Sequence, residues 1–337
     1  MATASLENPI YTVYMVSSDG KTKYHLTPAV LDIDMSNQEK QVAQCVTIKL
    51  ANVKTGSTTI NSLIDVRNRI FIYCNDGSKN DEVFRGFVWT KYNDADVDAR
   101  TSTIKCYDNL IYLQESEDSL FFAKGKNTKS VMSEICKRWG ITLNYTYSTI
   151  THGKLVLKGN LTNIFRSDIL DLVKERTGKK YVITSQKDVM YVKPVGKNTT
   201  IYTIRHVNNA IVTREATSMD DMVTKVQILG KSGKSGKVPV VATIKGDTAK
   251  YGTLQKIQTK NSDQSLSDAK KEANATIKEY GKPQKEYQVT ATDIPWIQKG
   301  DLVRVEAGSI NRNLIAVGIE RTISNQQKKM TLDLVDP

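Results

Sequence analysis

Four stretches near the end of this chain repeat, in the same order, the pattern of four stretches near its start. A chain duplicated in that way has few folds open to it beyond two copies of one unit. Residues 44–50 correspond to 286–292, 66–73 to 298–305, 83–88 to 315–320, and 101–108 to 329–336. Gly86 and Gly318 fall at the same place in the third pair, where a glycine inside a strand marks a bend or bulge of the kind barrel corners need. Identity between the copies is thin, and what repeats is the placement of apolar positions.

Those stretches alternate with the period of half-buried strands. Up to about residue 118, alternation is clear over residues 11–16, 45–50, 69–74, 82–89 and 102–107, with turns at Ser18, Asp19 and Gly20 and at Asn75, Asp76 and Gly77. The period then changes. Val131, Met132, Ile135, Cys136 and Trp139 share one helical face, Gly140 stops the helix, and a strand is expected over 141–147. The same order recurs with Ile164, Phe165, Ile169, Leu170 and Val173, then Gly178, then strands over 180–184 and 188–193. From about residue 200 strand patterning returns, over 205–211, 222–229 and from 286 onward, with a flexible loop by composition over 231–237. One helix interrupts it. Ser265 is its N-cap with Asp268 three residues on, Leu266, Ala269, Ala273, Ile277 and Tyr280 form its apolar face, and Gly281 and Pro283 end it.

The reading is a mostly β chain with an α+β insert. Two similar small β-barrel domains, 1–118 and 200–337, are separated by helix–strand modules over 119–199, and the second carries one inserted helix near 265–281. Repeated complementary surfaces usually close into rings. Three such chains would present six similar barrels, able to cap a sixfold tube while keeping threefold symmetry on the other side.

The net charge of +12 is unevenly spread: residues 1–120 sum to −4, 121–200 to +10 and 201–337 to +6. A basic module attracts phosphates or acidic protein surfaces. A binder of single-stranded nucleic acid would add exposed aromatics, but Trp139 and Phe165 lie on apolar helix faces and Tyr145, Tyr147, Tyr181 and Tyr191 suit strands. No membrane partner is expected. The longest apolar runs, such as residues 70–74, fall far short of the ~20 residues a membrane helix needs, and residues 1–8 lack the order of a signal peptide. Cys45, Cys74, Cys106 and Cys136 have no CxxC spacing and read as buried small hydrophobes of a chain made in a reducing cytoplasm.

No catalytic constellation emerges. His25, His152 and His206 stand far apart without metal-ligand spacing. There is no GxSxG elbow, and residues 230–236 lack the spacing of a phosphate-binding loop. Glu7, Asp81, Glu82, Asp94, Asp96 and Asp98 sit in turn-like polar stretches and read as solvated. No catalytic, cofactor-binding or metal-binding residue is assigned, no cofactor is expected, and the chain is read as a non-enzyme.

Residues 240–256 carry a sharper signal, centred on Lys250, Tyr251, Gly252, Thr253, Leu254 and Gln255. With the helix that follows, the closing stretch Gly300, Asp301, Leu302, Val303 and Arg304, and the helix ends at Arg138, Trp139, Gly140 and at Thr177, Gly178, the chain resembles the baseplate hub (late-control protein D-like) family of contractile phage tails, PBSX-type prophages and phage-tail-like bacteriocins. The resemblance spans most of the chain. It implies a homotrimeric hub with two tail-tube-like barrels, stacked between the tail tube or a tube-initiator protein and a central spike, touching baseplate wedge proteins, and located at the baseplate of a virion or tail-like particle assembled in the bacterial cytoplasm. DNA would at most pass through the ring lumen. Larger family members sometimes carry peptidoglycan-cleaving domains. With nothing after residue 337 the expectation is a pure hub, a tail-associated peptidoglycan hydrolase being the alternative. The excess charge of the insert, at Lys124, Lys126, Lys129, Lys137, Arg138, Lys174, Arg176, Lys179 and Lys180, would then meet an acidic partner or simply keep the free subunit soluble.

Overall fold

The computed structural model describes residues 9–92, 101–145, 147, 149–206, 209–231, 238–260 and 264–337. Its first part is a curled antiparallel sheet: β1 (Ile10–Val16), β2 (Lys23–His25), β3 (Val30–Asn37), β4 (Cys45–Ala51), a small ribbon of β5 (Lys54–Thr55) and β6 (Thr58–Thr59) leading into the one-turn α1 (Ile60–Leu63), then β7 (Arg69–Asn75), β8 (Asn80–Tyr92) and β9 (Thr101–Tyr107). Alternation becomes burial here. Val13, Met15, Ile33, Ile48, Ile70, Ile72, Val88 and Ile104 turn inward to one core.

The insert opens with α2 (Ile111–Gln114), followed by β10 (Glu117–Phe122), α3 (Thr128–Arg138), β11 (Thr142–Asn144) and β12 (Leu155–Asn160). One continuous helical stretch follows, α4 (Leu161–Asn163) passing through a wide π-type segment (Ile164–Asp171) into α5 (Leu172–Thr177), and then β13 (Tyr181–Gln186) and β14 (Val189–Pro194). Asn127 caps α3 by accepting from the Ser130 amide at 2.8 Å. Gly178 ends α5 in the left-handed conformation, φ 68°. Lys187 and Asp188 both have positive φ, which makes the β13–β14 turn of the tight primed kind. The insert's core also takes Val42, Ala43 and Leu110 from the first part, so the two pack as neighbours rather than as beads on a string.

The last part returns to the sheet with β15 (Thr203–Arg205) and β16 (Ala210–Ser218), then leaves it. β17 (Lys225–Leu229), β18 (Val240–Lys245), the one-turn α6 (Thr248–Tyr251) and β19 (Gln255–Thr259) form a separate three-stranded sheet in the order β18-β17-β19. Against it packs α7 (Leu266–Tyr280), through Val226, Ile228, Ala269 and Ala273. The helix therefore does not interrupt a barrel alone; it brings its own sheet. Ser265 caps it, accepting from the Asp268 amide at 3.0 Å. Residues 232–237 of the expected loop lie outside the described residues. The second barrel is completed by β20 (Gln284–Thr292), β21 (Leu302–Ala307), β22 (Ile310–Ser324) and β23 (Lys328–Val335).

The two barrels have the same strand order: β3-β4-β9-β8-β7-β1 in one and β16-β20-β23-β22-β21-β15 in the other. One direction differs, since β15 joins β21 in parallel while β1 joins β7 antiparallel. Two bulges fix the residue-level equivalence. Leu31 bulges against β4 as Ile211 does against β20, and Trp89 bulges against β9 as Val317 does against β23. In that frame Tyr107 matches Val335, as the sequence alignment of the fourth pair has it. The first and second pairs are one residue off, Cys45 matching Glu286 and Arg69 matching Leu302. The third is corrected by four: Gly318 matches Thr90, not Gly86.

The two glycines accordingly serve different ends. Gly318 adjoins a bulge. Gly86 lies where the Tyr107 carbonyl crosses so closely that a Cβ would sit 2.2 Å from its oxygen. Gly86→Ala is expected to lower stability by about 1–3 kcal/mol, read as a lower urea midpoint; an unchanged midpoint would show that the strands part there freely.

Candidate assembly interface

The barrels are sewn together edge to edge. β22 is long: its first half pairs with β21, and its second half passes beyond β21 and pairs antiparallel with β3, Ile319 opposite Asn37 through Ser324 opposite Asp32. One 13-stranded sheet therefore runs through both barrels.

Polar groups lock this seam. Arg321, 7% exposed, donates from Nε to Asp293 Oδ1 at 2.9 Å and from Nη2 to the carbonyls of Ile297 at 2.7 Å and Ile294 at 3.2 Å. The Tyr11 hydroxyl of the first barrel donates to the other Asp293 oxygen. Burial, with the Asp293 charge beside it, pushes the Tyr11 phenol far above its ordinary range. The loop that Arg321 holds carries Trp296, whose indole donates to Asp76, while the Lys79 ammonium lies 4.2 Å from its ring centre. Lys299 reaches the carbonyls of Gln38 at 3.1 Å and Gln41 at 2.6 Å, and burial depresses its pKa to about 8. Outside, Gln38 donates to Glu320 at 2.7 Å and Thr322 to Asp34 at 2.9 Å.

The equivalent places on the outer ends have no partner strand among the described residues. β16 pairs only with β20, and Ile211 and Val212 on it are 60% and 58% exposed. The end of β8 passes beyond β7, pairs with β9 alone, and exposes Trp89 and Tyr92.

Five of the nine basic residues singled out in the insert are ion-paired within the chain. Lys126 pairs with Glu134, Arg138 with Asp118, Arg176 with Glu272, and Lys174 and Lys180 both with Glu279 of α7. Only Lys124, Lys129, Lys137 and Lys179 of the nine form no ion pair among the described residues. Asp188 at the β13–β14 turn accepts from Arg69 and Arg85, anchoring the insert on the first barrel.

A cavity of about 520 Å³ lies between the insert and α7, lined by Lys124, His152, Lys154, Glu175, Arg176 and Glu272 among others. Burial, with Glu272 close by, pushes the Glu175 carboxyl up to about 7. Glu272 is fully engaged, accepting from Arg176 at 3.3 Å, Gln258 at 2.8 Å and Gln264 at 2.6 Å. It works as a clamp between α5 and α7.

The three histidines do not converge. His25 stacks on Tyr14, His206 is exposed, and His152 is buried with Nε2 3.0 Å from Thr128 Oγ1, its pKa pushed down to about 4 by burial. Asp81 is ion-paired with Lys79 and Lys187, and Glu82 with Arg85. Glu7, Asp94, Asp96 and Asp98 lie outside the described residues. Trp139 packs against the insert's core and Phe165 is inside it; Tyr145 is buried, stacked on Tyr181, and Tyr147 tilts against the same ring. Among the described residues no cluster of His, Cys, Asp and Glu could hold a metal ion, and no helix is long and apolar enough to cross a membrane. The seam itself escaped sequence reading: nothing in the pattern marks Asp293, Arg321 or Tyr11 as partners.

A duplicated curled sheet joined edge to edge around an α+β insert is the fold of phage-type tail proteins. Over 98% of its length the chain matches 99% of the 43 kDa tail protein of prophage MuSo2 from Shewanella oneidensis, with a TM-score of 0.66 at 14% identity. It matches 97% of a tail protein from Neisseria meningitidis over 98% of its own length, TM-score 0.68 at 12% identity. A third similar structure, TM-score 0.56 at 7% identity over 92% of this chain and 74% of the other, is an E. coli component of the type VI secretion system described as structurally similar to the T4 bacteriophage tail proteins gp27 and gp5. The chain belongs to the YQBQ-like family, whose model matches residues 33–335. No curated protein matches it in sequence.

Proposed function

We propose that the protein is a non-enzymatic hub of a contractile tail baseplate, three copies of which close into a pseudo-sixfold ring joining the tail tube to the central spike. The observation that carries this reading is the duplication together with its seam. One chain already places two equivalent barrels side by side with a continuous hydrogen-bonded sheet across them, and two more copies supply the remaining four. Likeness of fold to tail proteins and to a secretion-system component supports the setting. The insert stands beside the ring's sheet and offers Lys124, Lys129, Lys137 and Lys179 to an acidic wedge, spike or tube-end partner, steering encounter more than adding affinity.

The test is a count of copies in assembled particles by cryo-EM. Three per particle at one level, with two barrels each in the ring, is the expected result. Six copies at that level would overturn it.

A further inference from the structure

We propose that neighbouring copies join by the same strand pairing that joins the two barrels within one chain: the end of β8 on one copy pairs antiparallel with the free edge of β16 on the next. The inference rests on the ring reading above and specifies its contact.

The seam within the chain supplies the geometry. β22 meets β3 with Ile319 opposite Asn37 and Glu320 opposite Ser36. The matched bulges make Lys91 the equivalent of Ile319 and Tyr92 that of Glu320. On the other strand they make Thr217 the equivalent of Asn37 and Ala216 that of Ser36. Transferred between copies, Lys91 faces Thr217 and Tyr92 faces Ala216.

Both strands are prepared for this. β22 and β8 are the two longest strands of their barrels, 15 and 13 residues, and each passes beyond its inner neighbour, β21 or β7. The overhang of β22 is covered by β3; the overhang of β8 is bare among the described residues. β16 is a nine-residue edge without proline, on which Ile211 and Val212 stand exposed beside the charged Arg214 and Glu215. The unpaired N–H and C=O groups along such an edge are a template for another strand. β3, its counterpart, is already paired on both sides. A second copy of this chain is the occupant because it alone brings a strand with the same overhang in the same register. Head-to-tail contacts of this kind close into a ring when the rotation permits.

The test uses assembled tail particles carrying Tyr92→Cys with Ala216→Cys in a Cys45→Ser background, Cys45 being the one native cysteine that is not buried. Oxidation should give a covalent ladder that ends at three chains. Each single-cysteine chain, and the pair Tyr92→Cys with Val240→Cys, should remain monomeric. Unlinked chains in particles shown to hold three copies would overturn this pairing and leave the ring reading standing. A ladder ending at six would keep the pairing and overturn the threefold ring. Should the variant fail to assemble, hydrogen exchange on the unmodified protein decides the matter. The outward-facing amides of residues 216–218, opposite the described end of β8, should slow on the order of 100-fold or more on passing from free chain to particle, and equal exchange in both would refute the pairing.

Discussion

Arg321→Met is expected to destabilise the chain by about 3–5 kcal/mol, the range for breaking a buried ion pair from one side. The magnitude follows from what is left behind. Asp293 is 5% exposed and, among the described residues, would be left with the Tyr11 hydroxyl as its one side-chain donor. The carbonyls of Ile294 and Ile297 would lose the guanidinium as well. The loop between them carries Trp296 onto Asp76 and Lys79 of the first barrel, so loss of Arg321 also loosens the seam. Urea unfolding followed by tryptophan fluorescence should show a lower midpoint and an earlier change at Trp296 than in the far-ultraviolet circular dichroism. Adding Asp293→Leu to Arg321→Met should recover part of the loss, because the uncompensated charge is gone. A loss below about 1 kcal/mol for Arg321→Met alone would contradict a buried, charge-bearing seam.

The strands were legible because alternation along one strand needs no knowledge of its neighbours. Residues 45–50 and 102–107 read as half-buried in the sequence and are so in the structure. The order of the duplicated strands was legible for the same reason. Their register was not, because a bulge inserts a residue without breaking alternation on either side, and Trp89 and Val317 look like ordinary strand residues. The glycine pair misled for a physical cause: Gly86 answers a close backbone crossing and Gly318 a bulge, two unrelated demands for the same residue. Interactions between distant residues were hidden altogether. Tyr11 and Asp293 lie 282 positions apart, and the partners of Lys174, Arg176 and Lys180 are on α7, roughly a hundred residues on. The +10 balance of residues 121–200 therefore overstated the free positive surface of the insert. The strands that accompany α7 read as part of the barrel because a period of two does not say which sheet a strand joins.

Asp108 gives the second large effect, and it depends on pH. The residue ends the first barrel at the start of the insert, 3% exposed, with its carboxyl accepting from the amides of Gln44 at 3.0 Å and Leu110 at 2.9 Å. Burial outweighs those two hydrogen bonds and pushes its pKa up to about 7; Lys299 pulls it down and Asp188 adds to the rise. A carboxyl whose folded pKa lies above its unfolded value near 3.8 holds an extra proton in the folded chain between those limits. Stability must therefore fall as pH rises through that window, by up to about 1.4 kcal/mol per pH unit and about 4 kcal/mol across it. Asp301, raised to about 6, and Glu175, raised to about 7, act in the same sense, while His152, lowered to about 4, acts in the opposite one. The clean observable is thus the difference between Asp108→Asn and the unmodified chain. Near pH 4, at the foot of that window, the amide stands in for the protonated acid, so the two should unfold at similar urea concentrations. Near pH 8 the unmodified chain must bury a charge that the variant lacks, and the variant should be the more stable by about 2–4 kcal/mol. Lys299, whose pKa of about 8 would raise stability at higher pH, sets the upper limit of the comparison. A difference that stays constant from pH 4 to pH 8 would mean that Asp108 ionises freely in the folded chain, and that its place between the barrel and the insert is open to water.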